Sequence, residues 1–281
     1  MSLLPLAITP FSLGGALGDL YDTIEDALDV ADDTLDDLGD QVVEIVLDLI
    51  EQGQEDAPYP PGLDRALFWG DNGNDRVNGL VGEGYGPLTG AVLFGEGGND
   101  TLLGSAKADL LIGGTGNDVI GGGFGGDVLL GNSGRDLVAG GPGTDLVFGG
   151  SGNDSLFGGA GRDSIFAGGG ADTIVGDAQK DILHGEAGAD IFEFRELSDS
   201  TPDRNRDVIF DFAPDEDQAL LNNIAGFLHY IGDSPFSGTD PGEVRCNNGI
   251  LAVDEDNDRV ADFQVRLVGI DTLLPGDLIL A

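Results

Sequence analysis

From Asp100 onward an aspartate returns every nine residues: Asp109, Asp118, Asp127, Asp136, Asp145, Asp154, Asp163, Asp172, Asp181 and Asp190, eleven in unbroken register. Carboxylates repeated at one phase and flanked by glycine are donors for a hard cation. Such an ion takes about six to eight oxygens, mixed from carboxylates and backbone carbonyls. The clearest copy of the phrase is Gly113-Gly-Thr-Gly-Asn-Asp-Val-Ile-Gly121. Glycines at its first, second and fourth positions permit positive φ and let carbonyl oxygens turn inward. The sixth position adds the carboxylate. One loop offers too few oxygens, so two loops must share an ion.

The eighth position is apolar in all thirteen copies: Val77, Leu93, Leu102, Leu111, Ile120, Leu129, Val138, Val147, Leu156, Ile165, Ile174, Leu183 and Phe192. Each copy is therefore read as a six-residue loop followed by a three-residue strand whose middle side chain enters a thin core. A disordered Gly-Asp tract has no use for an aliphatic residue at fixed phase. Two repeats make one turn, so the loops stack along two opposite edges. Edge one carries Asp75, Asp100, Asp118, Asp136, Asp154, Asp172 and Asp190; edge two carries Ala91, Asp109, Asp127, Asp145, Asp163 and Asp181. A seven-residue insertion, Gly79 to Tyr85, separates the first two copies. Three edge-two loops are damaged: Ala91 lacks a carboxylate, and Lys107 and Gln179 replace the fourth-position glycine before Asp109 and Asp181. The only lysines, Lys107 and Lys180, lie in damaged loops, where an ammonium could replace an ion or simply be solvated.

The phrase G-G-x-G-x-D-x-U-x resembles the calcium-binding nonapeptide of RTX (hemolysin-type) proteins. That resemblance implies a parallel β-roll with Ca²⁺ between loops two repeats apart. The expected metal ligands are Asp75, Asp100, Asp118, Asp127, Asp136, Asp145, Asp154, Asp163, Asp172 and Asp190, with Gly95, Gly113, Gly131, Gly149 and Gly158. Counting gaps between intact loops predicts about eight ions, biased to edge one.

Residues 194–281 change character. Asp207-Val-Ile-Phe-Asp-Phe212 reads as a strand, and Asn247-Asn-Gly249 as a hairpin turn between Val244–Cys246 and Ile250–Val253. Asp254 to Asp258 starts like an EF-hand loop, but Arg259 and Val265 occupy its glycine and glutamate positions, so an acidic turn is expected. This tail resembles the C-terminal domain of serralysin-type metalloproteases in Asp207–Phe212, Gly242–Arg245, Ala261–Gly269 and Asp277–Leu280. The resemblance implies export through a type I secretion apparatus, guided by an uncleaved C-terminal signal. Asp277 before Leu278-Ile-Leu280 fits that signal; the terminal Ala281 departs from it.

Residues 1–66 hold one heptad seam, from Leu17 through Ile24, Leu28, Leu35, Leu38, Val42 and Ile45 to Leu49, with an acidic opposite face. An amphipathic helix is expected there, followed by a linker at Pro58, Pro60 and Pro61. Met1 to Leu13 is apolar but has no basic residue, unlike a secretory leader. The helix has an expected task. Beside the edge-two loops, positions seven and nine are mostly apolar: Val92, Leu110, Val128, Leu146 and Ile182, with Phe94, Ile112, Leu130, Phe148 and Phe166. Such a strip needs a cover, and the heptad seam is the candidate.

The net charge of −40 and pI of 4.1 make nucleic acid and anionic membranes poor partners. A lone cysteine, Cys246, excludes an internal disulfide and is expected to be a buried apolar group. The protease resemblance stops before its catalytic part: His184 and His229 are the only histidines, and neither begins H-E-x-x-H. His184 is expected at the surface, with little lost on its replacement by alanine. The expected architecture is mainly β: an N-terminal amphipathic helical region (1–66), a calcium-binding parallel β-roll (67–193) and a β-rich C-terminal domain with the secretion signal (194–281). The expected function is non-enzymatic, a secreted calcium-binding protein with a structural or adhesive role at a bacterial surface. Expected partners are calcium, the type I apparatus, and self-association through the N-terminal helix or cell-surface polysaccharide. A carbohydrate-binding module and a glycosidase using two carboxylates are the rival readings.

Overall fold

The computed structural model describes residues 66–70, 72–78, 90–202, 205–222, 224 and 228–281. The nine-residue period becomes an eighteen-residue turn: Leu110 pairs with Val128, Val128 with Leu146, and Leu146 with Ser164, all in parallel. Odd and even copies therefore stack into separate sheets. Sheet A begins with Ala66–Trp69, Ala91–Gly97, Leu110–Thr115, Val128–Ser133, Leu146–Ser151, Ser164–Gly169 and Ile182–His184. Sheet B begins with Arg76–Asn78, Thr101–Leu103, Val119–Gly121, Leu137–Gly143, Ser155–Gly161, Thr173–Ala178 and Ile191–Phe194. Arg76 pairs with Thr101, a step of 25 residues, so the seven-residue insertion is absorbed between turns without shifting the register.

Twelve of the thirteen eighth-position side chains are at most 1 % exposed, and only Val77, at the open end, is partly buried. A strand of three residues was too short an expectation. Many strands run to six or seven, because the first loop positions also pair from turn to turn, as Gly114 with Asn132 and Thr115 with Ser133. Stacking at fixed register brings these backbones alongside, and their N–H and C=O groups must be satisfied.

The C-terminal segment adds to both sheets. Asp207–Ile209 and Phe263–Leu267 extend sheet A in parallel, and antiparallel Ile250–Asp254 and Glu243–Asn247 follow. His229–Tyr230 ends that sheet. Gln218–Leu221 and Leu278–Leu280 extend sheet B. The Asn-Gly hairpin is present, with φ of 50° at Asn248 and 70° at Gly249, the pair of positive values a tight two-residue hairpin demands. Cys246 is fully buried, and burial pushes its thiol up to about 11. The Asp277 carboxylate accepts N–H bonds from Leu274 (2.7 Å) and Asp215 (3.0 Å), pinning the last strand. All described residues belong to one compact unit, Asp64–Ala281. The helix expected within residues 1–66 lies outside the described residues, and so does the cover expected from it. The strip itself is buried at Val92, Phe94, Leu110, Leu130, Leu146 and Phe166, whereas Leu103, Val119 and Leu137 of sheet B are 41–43 % exposed.

His184 corrects its expectation. The same register that stacks the core stacks the ninth positions, so Phe148, Phe166 and His184 fall in one column, and Phe210 continues it. Ring centroids are 5.2, 4.7 and 5.1 Å apart. His184 is only 4 % exposed, with Nδ1 3.7 Å from Asp211 Oδ2. Removing a ring from the middle of such a column leaves a void. His184→Ala should cost about 3 kcal/mol, read as a lowered thermal midpoint in saturating calcium, and His184→Phe should recover most of it. An unchanged midpoint for the alanine variant would contradict the packing role.

Candidate metal centre

The aspartates form two columns. In each, one carboxylate oxygen is tied to the backbone of the turn before it. On edge one, the N–H of Asp100, Asp118, Asp136, Asp154 and Asp172 donates to Oδ1 of Asp118, Asp136, Asp154, Asp172 and Asp190 at 2.7–2.9 Å. On edge two, the N–H of Asp109, Asp127, Asp145 and Asp163 donates to Oδ1 of Asp127, Asp145, Asp163 and Asp181, each at 2.8 Å. Asp75 joins edge one by donating to Asp100 Oδ1 at 2.7 Å. All ten aspartates named from the sequence thus stand on these two columns.

The second oxygen is different. Oδ2 of Asp118, Asp127, Asp136, Asp145, Asp154, Asp163, Asp172, Asp181 and Asp190 is buried with no hydrogen-bond partner. Buried charge without a partner is among the costliest arrangements a protein can hold. The position-one glycines show what else is close by. A Cβ on Gly131 would stand 2.6 Å from Asp136 Oδ2 and 2.6 Å from the carbonyl oxygen of Gly149. On Gly158 it would stand 2.7 Å from Asp163 Oδ2 and 2.8 Å from the Gly176 carbonyl oxygen. Gly95, Gly113 and Gly149 face their own loop's Oδ2 and the next turn's carbonyl in the same way. These glycines are needed for close approach, not for positive φ. Positive φ belongs to the second and fourth positions, as at Gly114 (107°) and Gly116 (131°). Non-glycine residues accept it at Glu96, Asn132, Asp177 and Glu186. Ala167 takes the first position once, in the loop of Asp172.

Carboxylate and carbonyl oxygens from adjacent turns therefore meet in the same place, as a shared hard cation requires. Electrostatics agree. With no cation beside them, burial pushes Asp127, Asp136, Asp145, Asp163 and Asp190 up to about 7 and Asp172 to about 6, and neighbouring carboxylates add to this. Asp181 and Asp207 are raised further by burial, and at Asp181 the neighbouring Asp207 charge adds to it. The folded chain without metal thus binds protons that the unfolded chain, with aspartates near 3.8, releases between about pH 4 and 7. Stability from these groups is fully present below about 4 and is lost as pH rises through about 7. In chelator, β content at pH 5 should exceed that at pH 8. In calcium, protons compete, so the calcium midpoint should rise as pH falls from 7 to 5. Circular dichroism across that grid checks both signs.

The columns run past the repeats. The N–H of Asp181 donates to Asp207 Oδ1 and that of Asp190 to Asp217 Oδ1, each at 2.9 Å. Asp207 Oδ2 is also buried and unpartnered, whereas Asp217 Oδ2 accepts from Ala213 N–H at 2.8 Å. Both residues were missed from sequence although a signal existed: Asp207-Val-Ile209 and Asp217-Gln-Ala219 repeat the Asp-x-apolar phase, hidden by steps of 26 and 27 residues. Asp109 and Asp181, set aside with their damaged loops, keep their places in column two; Asp109 accepts from the N–H of Ala91. Neither Lys107 nor Lys180 makes an ion pair among the described residues, but the Lys180 charge acts on Asp207 and lowers its pKa against the rise that burial causes. A further column was not anticipated. The N–H of Asn99, Asn117, Arg135 and Ala171 donates to Oδ1 of Asn74, Asn99, Asn117 and Asn153 at 2.8–3.1 Å.

A parallel two-sheet solenoid whose edges carry buried, half-satisfied carboxylates defines the class: a β-roll built to take cations. The sequence model of the RTX calcium-binding nonapeptide repeat, in four copies, matches residues 67–84, 94–129, 121–156, 130–165 and 157–192. The chain therefore carries RTX calcium-binding nonapeptide repeats, folded as a parallel two-sheet solenoid. No curated protein matches the chain.

Proposed function

We propose that the chain is a secreted, non-enzymatic calcium-loaded β-roll with a structural or adhesive role at a bacterial surface. The observation that carries this reading is the double column of buried carboxylates, in which nine repeat aspartates from Asp118 to Asp190 keep Oδ2 buried without a hydrogen-bond partner. Calcium would supply their missing counter-charge. Asp118, Asp127, Asp136, Asp145, Asp154, Asp163, Asp172 and Asp190 would hold it, with the carbonyls facing Gly95, Gly113, Gly131, Gly149 and Gly158. About eight ions are expected in the repeats, with one further position at Asp207. A chain that cannot neutralise these groups in calcium-poor cytosol stays expanded, and binding outside the cell becomes folding energy. The serralysin-like words of the tail support export through a type I channel. Among the described residues no helix is long and apolar enough to cross a membrane.

The test combines two measurements. Calorimetric titration of the metal-free chain should return about eight calcium ions with a concurrent gain of β signal. Co-expression with a type I transporter should export the full chain, and Asp277→Ala with Leu278→Ala should reduce export. Retention of the full chain in the cell would overturn the secretion reading while leaving the calcium count intact.

A further inference from the structure

The far end of sheet A carries a different chemistry from the loops. Along Glu243–Asn247, Val244 and Cys246 enter the core, so Arg245 and Asn247 stand on the outward face. Strand register sets Arg245 beside Ala252 and Ala252 beside Gln264, and Asn247 beside Ile250 and Ile250 beside Arg266. Arg206 directly precedes Asp207, which pairs with Val265, so Arg206 arrives beside Gln264 from the other flank. Its Nη1 donates to Gln264 Oε1 at 2.9 Å. The two arginines thus flank three inter-strand steps, roughly 14 Å at ~4.8 Å each, with small Ala252 between them. Each side chain can lean inward over that gap. Arg206, Arg245, Asn247, Asn248, Ile250 and Gln264 line a half-open cavity of about 280 Å³.

Charge makes the cavity unusual. The chain has 52 acidic residues and only 12 lysines and arginines. Arg206 and Arg245 should find carboxylates easily, yet among the described residues neither has one within ion-pair distance; the pairs present are His184–Asp211 and Arg195–Glu193. Both are instead held by neutral groups. The Arg245 guanidinium lies 4.3 Å above the Phe236 ring, and Arg206 is held by an amide. Arg259, by contrast, spends its Nε and Nη2 on the Ser237 carbonyl. Two oriented cations with no carboxylate partner among the described residues describe a site for an anion. A guanidinium fork matches a planar carboxylate in two parallel hydrogen bonds. Asn248 adds an amide that both donates and accepts, Gln264 adds its amide N–H groups, and Asn247, whose Nδ2 donates to the Asp233 carbonyl at 3.3 Å, adds an accepting oxygen, a set suited to hydroxyls. The volume lies just below the usual range for small-molecule sites, enough for a single sugar ring.

We propose that this cavity binds a uronate unit of an acidic polysaccharide, with Arg206 and Arg245 on the carboxylate and the amides on the ring hydroxyls. The site is independent of the calcium loops except that the roll must be folded.

Titration calorimetry on the full chain in saturating calcium tests it, using tetragalacturonate, neutral maltotetraose and inorganic phosphate as probes. Tetragalacturonate should bind, and Arg206→Gln and Arg245→Gln should each weaken it about tenfold or more. Arg206→Lys and Arg245→Lys, which keep charge and lose the fork, should fall between. Arg76→Gln, on sheet B, should bind as the unaltered chain does, which controls for sugar bridged to protein by calcium. Dichroism confirms that each variant is folded, and the lysine variants carry the test if a glutamine variant is not. No binding of tetragalacturonate, or binding indifferent to both arginines, would overturn the proposal. Phosphate binding as tightly as tetragalacturonate would overturn the sugar assignment.

Discussion

Chelating calcium from the full chain is expected to abolish the β signal of residues 90–194, and adding calcium back is expected to restore it in one steep transition. The magnitude follows from linkage. A ligand present at a hundred times its dissociation constant stabilises the folded state by about 2.7 kcal/mol per site. Some eight such sites would together exceed the whole stability of an ordinary domain, about 5–15 kcal/mol. The roll has little to set against their loss. Its interior core is one apolar side chain per repeat, and nine Oδ2 atoms of the columns, from Asp118 to Asp190, are buried without a hydrogen-bond partner. Magnesium should substitute poorly, since it demands a smaller octahedral shell and gives up water reluctantly. A β signal that persists in chelator at pH 8 would refute the calcium-driven account.

The second large effect is expected at Asp136. Its Oδ1 accepts the N–H of Asp118 at 2.8 Å, its own N–H donates to Asp154 Oδ1 at 2.8 Å, and its Oδ2 is buried without a partner. Asp136→Ala removes a donor oxygen from the loops on either side and strands a buried N–H. Asp136→Asn keeps the acceptor for Asp118 but removes the charge. Both variants should bind about two fewer calcium ions than the unaltered chain, since neighbouring loops share each ion. The alanine variant should be less stable than the asparagine variant by a further ~1–3 kcal/mol, the cost of an unsatisfied buried donor. Asp271→Asn, at an exposed position outside the columns, should change neither number. A full calcium complement in Asp136→Asn would remove that carboxylate from the ion sites.

Much of this was legible in the chain itself, because a strict period leaves little conformational choice. An apolar residue every nine positions can be buried on one face only if odd and even copies stack separately, which sets the eighteen-residue turn, the two sheets and the two aspartate columns. The Asn248-Gly249 turn was legible for a similar reason: few residue pairs accept two positive φ values in succession. Where the period fails, sequence reading failed with it. Asp207 and Asp217 keep the Asp-x-apolar phase, but irregular steps of 26 and 27 residues hid their place in the columns. His184 reads as a surface residue in the sequence, but stacking puts it between Phe166 and Phe210.

The sequence by itself determined the periodic part: the roll, its core, its calcium chemistry and the carboxylates that serve it. Those follow from local spacing, which every turn repeats. Tertiary structure alone decided which oxygen of each carboxylate is tied to backbone and which is left for a cation. It also decided that the first glycine of each loop serves close approach, and that Arg206, Arg245 and Gln264 share one cavity. These depend on distances between atoms up to 58 residues apart in the chain, as between Arg206 and Gln264. Such distances are set by strand register across the sheet, which no local pattern in this segment encodes.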